Sequence, residues 1–332
     1  MRHIFFCIDG HTGGNPVRLV VGGAPLLKGT SMAQRRLDFL ERFDWIRTSL
    51  CFEPRGHDMM SGGFLYPPTR EDCDVGILFI ETSGCLPMCG HGAIGLVTFG
   101  LDHGLITPRE PGKLRVEVPA GIVDIAYRQT GGRVASVRIR NVPSYLAAEG
   151  VTIDAPGFGP LKVDIAYGGN YYAIIEPQGA YKGLDALGAG RIIELSRVVR
   201  RLVREAIEPV HPVEPSIRGV SHVLWADKPK SAEADARNAV FYGEGAIDRS
   251  PCGTGTSARM AQLVAKGRLG KGDRFVHESY IGSRFVGAVE DVIRLGDHDA
   301  IIPSIEGSAV ATGYNTIWVD RDDPLWRGFQ VT

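Results

Sequence analysis

The chain is 332 residues long and 44% hydrophobic, with 37 Lys and Arg against 38 Asp and Glu and a formal charge of −1. That balance argues against a nucleic-acid partner, and no run approaches the ~18 uninterrupted apolar residues of a membrane span. The length fits about two domains, each with a core of its own.

In chain order, residues 1–10 carry an apolar run too short for a signal peptide, so a cytoplasmic protein is expected. Residues 4–8 read as a strand, Gly10, Gly13 and Gly14 as a turn, and residues 17–21 as a second strand. Ser31 and Gln34 form a capping box ahead of Leu37, Leu40 and Phe43 at helical spacing. A loop over residues 53–58 leads to a strand at 75–80, then to Cys89 and a helix at 93–99. That helix is apolar on every side, which predicts burial. Strands at 114–118, 121–127 and 134–139 close this half.

The second half repeats the plan. Residues 163–170 and 172–175 mirror the opening strand, glycine turn and strand, and Ile192, Leu195, Val199, Leu202 and Val203 mark the matching amphipathic helix. A strand at 239–242 precedes Cys252 and its helix through Met260 and Leu263, and strands at 274–278, 285–289 and 300–303 follow. The recurrence predicts two pseudo-equivalent α/β domains, residues 1–150 and 151–315, with 316–332 assigned to the first, and a cleft between them.

The chemistry is expected in Met88-Cys89-Gly90-His91-Gly92 and its echo Pro251-Cys252-Gly253-Thr254-Gly255. A cysteine at a helix start meets the partial positive charge of unpaired amides, which favours thiolate and makes it a candidate base or nucleophile. The glycines let those amides approach a carboxylate closely. Cys7, Cys51, Cys73 and Cys85 read as inert buried thiols, and no metal site is expected because Cys85 and Cys89 have no second pair nearby. Gly90 to Gly95 also fits the dinucleotide pattern G-x-G-x-x-G, but no strand runs directly into it.

His91 has no histidine counterpart in the second copy, where Thr254 stands, so its role is either asymmetric or structural. Asp248 suits a substrate ammonium group, or else a surface salt bridge or cap. His57 and His222 by themselves read as core histidines.

Several motifs together resemble the proline racemase superfamily nearly end to end: Asp9-Gly10-His11-Thr12-Gly13-Gly14-Asn15-Pro16, Glu53-Pro54-Arg55-Gly56-His57, Met88-Cys89-Gly90-His91-Gly92, Tyr167-Gly168-Gly169-Asn170 and Asp248-Arg249-Ser250-Pro251-Cys252-Gly253-Thr254-Gly255-Thr256. The resemblance implies the diaminopimelate epimerase-like fold, two α/β domains each with a sheet wrapped around a central helix and an active site between them. It also implies inversion at an α-carbon without metal or cofactor. Cys89 and Cys252 map onto the acid/base pair, and Gly90, His91, His222, Asp248, Gly253 and Thr254 onto the substrate contacts. Within the superfamily the chain is most similar to members that epimerise 4-hydroxyproline. Relatives that dehydrate 3-hydroxyproline have Thr at the second cysteine. Gly13, where relatives often have Cys, and Glu306-Gly307-Ser308-Ala309-Val310 depart from the usual pattern.

The resulting expectation is a cofactor-independent epimerase of trans-4-hydroxy-L-proline, acting on a small imino acid, with a homodimer as a candidate assembly. Proline racemase is the near alternative. A nucleotide-dependent oxidoreductase and a non-catalytic amino-acid-binding protein are the readings from other classes.

Overall fold

The computed structural model describes residues 2–331, which fall into two compact units: the chain up to Ile139 together with the chain from Gly307 on, and Arg140–Glu306. The sequence-based border at 150 lies inside a strand of the second unit, Ser144–Ala155, and the returning segment begins at 307 rather than 316.

In the first unit β1 (Arg2–Thr12) and β2 (Asn15–Gly22) form an antiparallel hairpin across the glycine turn. Two helices, α1 (Met32–Arg42) and α2 (Asp44–Cys51), then carry the chain over to β3 (Ser61–Tyr66), which lies parallel to β2. A parallel pair needs such a crossover because its strands run the same way. Antiparallel β4 (Val75–Glu81) and β5 (Gly84–Leu86) follow, then α3 (Gly90–Asp102) and β6 (Lys113–Val118), the latter parallel to β4. The strands β7 (Gly121–Thr130) and β8 (Arg133–Arg140) end this run. The C-terminal strand Ala309–Asp320 returns to pair antiparallel with β1.

The expected capping box is half made. Ser31 accepts from the Gln34 amide at 3.2 Å, while the Gln34 side chain accepts from the Thr30 amide at 2.8 Å instead of reaching the Ser31 amide. The buried face of α1 is Met32 and Phe39, and Leu37, expected on it, is 47% exposed. The run from Leu37 to Phe43 spans a junction, since α1 stops at Arg42 and α2 starts at Asp44, so one continuous periodicity does not describe it.

The second unit follows the same order. β9 (Ser144–Ala155) and β10 (Gly159–Tyr167) pair antiparallel, β10 forms a hairpin with β11 (Tyr171–Ile175), and α4 (Leu184–Ala206) crosses to the parallel β12 (Val220–Asp227). Antiparallel β13 (Ala236–Tyr242) and β14 (Ala246–Ile247), α5 (Gly253–Ala265), β15 (Arg274–Glu278) parallel to β13, β16 (Arg284–Leu295) and β17 (His298–Gly307) complete it. β17 also pairs with β9, closing the sheet on itself. Here β9 stands beside β10 as the C-terminal strand stands beside β1, which is why the first unit needs both ends of the chain.

Each unit holds one central helix of 13 residues, buried without a break from Gly90 to Gly100 in α3 and from Gly253 to Leu263 in α5. A helix buried on all sides is expected to be apolar or small all round, as α3 nearly is; α5 departs from this at Arg259 and Gln262, which are buried with hydrogen bonds to Glu176 and Asp164. Among the described residues no helix is long and apolar enough to cross a membrane.

Candidate active site

Cys89 and Cys252 are the residues immediately before the two buried helices, and both are buried. The chain enters α3 extended at Cys89 and α5 at positive φ at Cys252, and the small glycines that follow let the first turn form against neighbouring groups. First-turn amides have no partner within their helix, so Gly90 and Gly253 lead an anion-attracting end in each unit. Among the described residues no three His, Cys, Asp or Glu side chains converge as metal ligands would.

Around Cys89 the neighbour is His91, whose Nδ1 lies 3.6 Å from the sulfur. On the other side of the ring, His91 Nε2 is 3.1 Å from Asn15 Nδ2 and 2.8 Å from Ser61 Oγ. Asn15 Nδ2 offers Nε2 a donor, whereas Ser61 Oγ gives its own proton to the Pro16 carbonyl at 2.7 Å and offers Nε2 an acceptor, so each tautomer of the ring finds a partner there and the imidazole edge faces the Cys89 sulfur.

Around Cys252 the partners are different. Its sulfur accepts from the Gly255 amide at 3.3 Å, and Tyr172 Oη lies 3.3 Å away, itself 2.5 Å from Thr254 Oγ1. The Tyr172 ring packs against His222 at 4.8 Å, which brings His222 into this cluster. Asp248 is buried and accepts from the Ser250 amide at 2.8 Å, while Ser250 Oγ accepts from the Cys252 amide at 3.1 Å. Asp248 thus does cap a turn, but from the interior instead of the surface.

Cys252 is the only non-glycine at positive φ among the described residues, at 63°. Such a conformation persists only where the surroundings enforce it. The preceding carbonyl, of Pro251, accepts from Asn238 Nδ2 at 2.7 Å and Thr256 Oγ1 at 3.2 Å, and both donors also contact His277 Nδ1, at 3.1 and 2.9 Å. His277 is fully buried, and that burial, with the Arg259 charge adding to it, pushes its pKa down to about 3, so the ring is neutral and serves as an acceptor.

A lowered thiol pKa, expected from the helix end, does not hold for Cys252. Burial pushes the thiol up and the Asp248 charge adds to that, against the hydrogen bonds from Tyr172, the Gly255 amide and Thr254. An exposed helix end contributes ~0.3–1 kcal/mol, too little to offset the loss of solvent around a buried anion. Burial likewise pushes Cys7, Cys51 and Cys85 up to about 12, and all six cysteines are buried.

The structure therefore gathers Cys89, Gly90 and His91 in the first unit, and Cys252, Gly253, Thr254, His222 and Asp248 in the second. His57 lies half-buried in the loop before β3. Sequence reasoning missed Asn15, Ser61 and Tyr172. A signal existed in the repeated Gly-Gly-Asn: Asn15 reaches the residue two past Cys89, and Asn170 Nδ2 reaches Thr254 Oγ1, two past Cys252, at 3.4 Å. The strand registers Val17 with Ser61 and Tyr172 with His222 extend that equivalence.

Two units of one topology, each around a buried helix, make this a diaminopimelate epimerase-like fold. A PhzF-family protein from Bacillus anthracis shares it at TM-score 0.58 and 17% identity, over 96% of this chain and 99% of that one. A hydroxyproline epimerase from Agrobacterium vitis, solved with bound trans-4-hydroxy-L-proline, matches at TM-score 0.92 and 29% identity, over 99% of this chain and 95% of that one. The 4-hydroxyproline 2-epimerase of Ancylobacter novellus is 61% identical over 99% of both chains. The proline racemase family profile matches residues 7–330, and the chain belongs to that family.

Proposed function

We propose that the chain epimerises trans-4-hydroxy-L-proline to cis-4-hydroxy-D-proline at the α-carbon, without cofactor or metal, with Cys89 and Cys252 as the acid/base pair. The observation that carries this reading is the placement of one thiol immediately before each buried 13-residue helix. Inverting a stereocentre requires a proton to leave one face and another to arrive on the opposite face, so two such groups suffice, one thiolate while the other is thiol. The 61% identity to the Ancylobacter enzyme supports the substrate.

In this reading the first-turn amides of Gly90, His91, Gly253 and Thr254 hold the substrate carboxylate and the charge that grows on it as the proton leaves. Asp248 takes the ammonium group, and His222 lines the ring side. The protein works in the cytoplasm on a free imino acid.

Polarimetry on purified protein, with no added cofactor, tests the reading. Turnover of trans-4-hydroxy-L-proline at a kcat/KM at least about tenfold above that for L-proline is expected. The reverse preference would make the chain a proline racemase, and no rotation with either substrate would remove the epimerase reading.

A further inference from the structure

We propose that the hydroxyls of Tyr172 and Thr254 form a reversible hydrogen-bond relay that serves Cys252 in both of its protonation states. Tyr172 donates to the sulfur when it is thiolate and turns away from it, toward Thr254, when it is thiol. The proposal rests on the two-thiol reading above and adds to it a reacting-atom contact that the family motifs do not point to.

The direction of the relay follows from counting protons. Asn170 presents an amide nitrogen to Thr254 Oγ1 at 3.4 Å and can only donate there. Thr254 therefore accepts from Asn170, and its own single proton is available to Tyr172 Oη at 2.5 Å. The Tyr172 proton is then available to the Cys252 sulfur at 3.3 Å, an ordinary length for a hydroxyl on sulfur. Reversal needs only the two O–H bonds to rotate: Tyr172 turns its proton to Thr254 Oγ1, and the Thr254 proton turns toward the Cys252 sulfur, 3.9 Å away. Each hydroxyl keeps its proton throughout, and the proton exchanged with the substrate carbon is the one on sulfur.

The heavy atoms of the relay are held in place. Tyr172 is fully buried on β11, its ring rests on His222, and Gly255 leaves it room, since a β-carbon there would stand 3.2 Å from the ring. The groups facing Cys252 are Asp248, which opposes the thiolate, and Tyr172, Thr254 and the Gly255 amide, which favour it. The first unit solves the same task with an imidazole, since His91 stands where Thr254 stands. A residue that must be acid and base in turn gains from a donor that can also withdraw.

Tyr172→Phe removes the hydroxyl and keeps the ring. The measurement is iodoacetamide alkylation of the substrate-free protein, followed site by site by peptide mass over pH 7 to 10, with Cys89 as internal control. Loss of one hydrogen bond to a charged sulfur corresponds to about tenfold less thiolate at a given pH. Because a more basic thiolate is also the better nucleophile, alkylation of Cys252 is expected to slow by about three- to tenfold. Cys89 is expected to keep its rate.

Thr254→Val is expected to slow Cys252 in the same direction by a smaller factor, with Thr254→Ser restoring the rate, and this pair decides the matter should Tyr172→Phe fail to fold. An unchanged Cys252 rate in a folded variant, or equal slowing at Cys89, would overturn the relay. The readout requires no turnover, so failure of the hydroxyproline assay and failure of the relay are told apart.

Discussion

Gly255 and Cys252 are in contact twice: the Gly255 amide donates to the Cys252 sulfur at 3.3 Å, and a β-carbon on Gly255 would sit 3.0 Å from that sulfur. Gly92 stands to Cys89 in the same way, with a β-carbon 2.9 Å from its sulfur. The second glycine of each Cys-Gly-x-Gly is thus the clearance that lets a thiol lie over the first turn of a buried helix.

Gly255→Ala and Gly92→Ala are therefore expected to push the thiol off its position while leaving the helix, which tolerates alanine well. Displacing a reacting group by ~1 Å lowers the rate on the order of 100-fold. Steady-state kinetics with circular dichroism as the folding control checks this, and near-wild-type kcat in both variants would contradict it.

Cys89→Ser and Cys252→Ser are each expected to reduce epimerisation by ~10³-fold or more with the fold intact. An alcohol is a far poorer base than a thiolate near neutral pH, and positioned acid/base groups contribute ~10²- to 10⁴-fold each. Substantial turnover by either variant in the polarimeter would mean that one thiol suffices.

Alkylation is expected to inactivate through Cys89 or Cys252 and to be slowed by pyrrole-2-carboxylate, a planar mimic of the deprotonated substrate. Cys7, Cys51 and Cys85 are packed in the hydrophobic core of the first unit, where burial holds them up at about 12, whereas Cys252, also pushed up by burial, has hydrogen bonds from Tyr172, the Gly255 amide and Thr254 that favour its thiolate. Peptide mass mapping with and without the mimic provides the check. Inactivation that tracks label on Cys7, Cys51 or Cys85 would count against the assignment.

Acid sensitivity is expected to carry the signature of His277. Its folded pKa, near 3, lies below the unfolded value of 6.5, so from pH 6.5 downward the unfolded chain binds a proton that the native state refuses. Stability then falls as pH falls, by up to ~1.4 kcal/mol per pH unit, until the folded pKa is reached. His277→Gln should flatten the slope of Tm against pH between 6.5 and 4.5. An identical slope in the variant would show that other groups set the acid limit.

Isotope exchange distinguishes two bases from one. In deuterated water the product should gain deuterium at the α-carbon, while unreacted substrate gains little at low conversion, because the abstracting thiol returns the original proton to its own face. Fast wash-in to remaining substrate would indicate a single base.

The sequence by itself determined the repeated plan, the two buried helices and a cysteine at the head of each, because these rest on local patterns: apolar content on all sides, glycine spacing and a motif that occurs twice. It could not place the domain border. That border depends on the strand Ala309–Asp320 crossing back to β1 and on β9 joining β10, pairings between residues far apart in the chain. The tertiary structure also decided the partners of each thiol, since Asn15, Ser61 and Tyr172 reach the sites through strand register. And it decided the direction of the Cys252 shift. A helix start is visible in sequence, but the depth of burial that outweighs its dipole depends on what the whole unit packs around the sulfur.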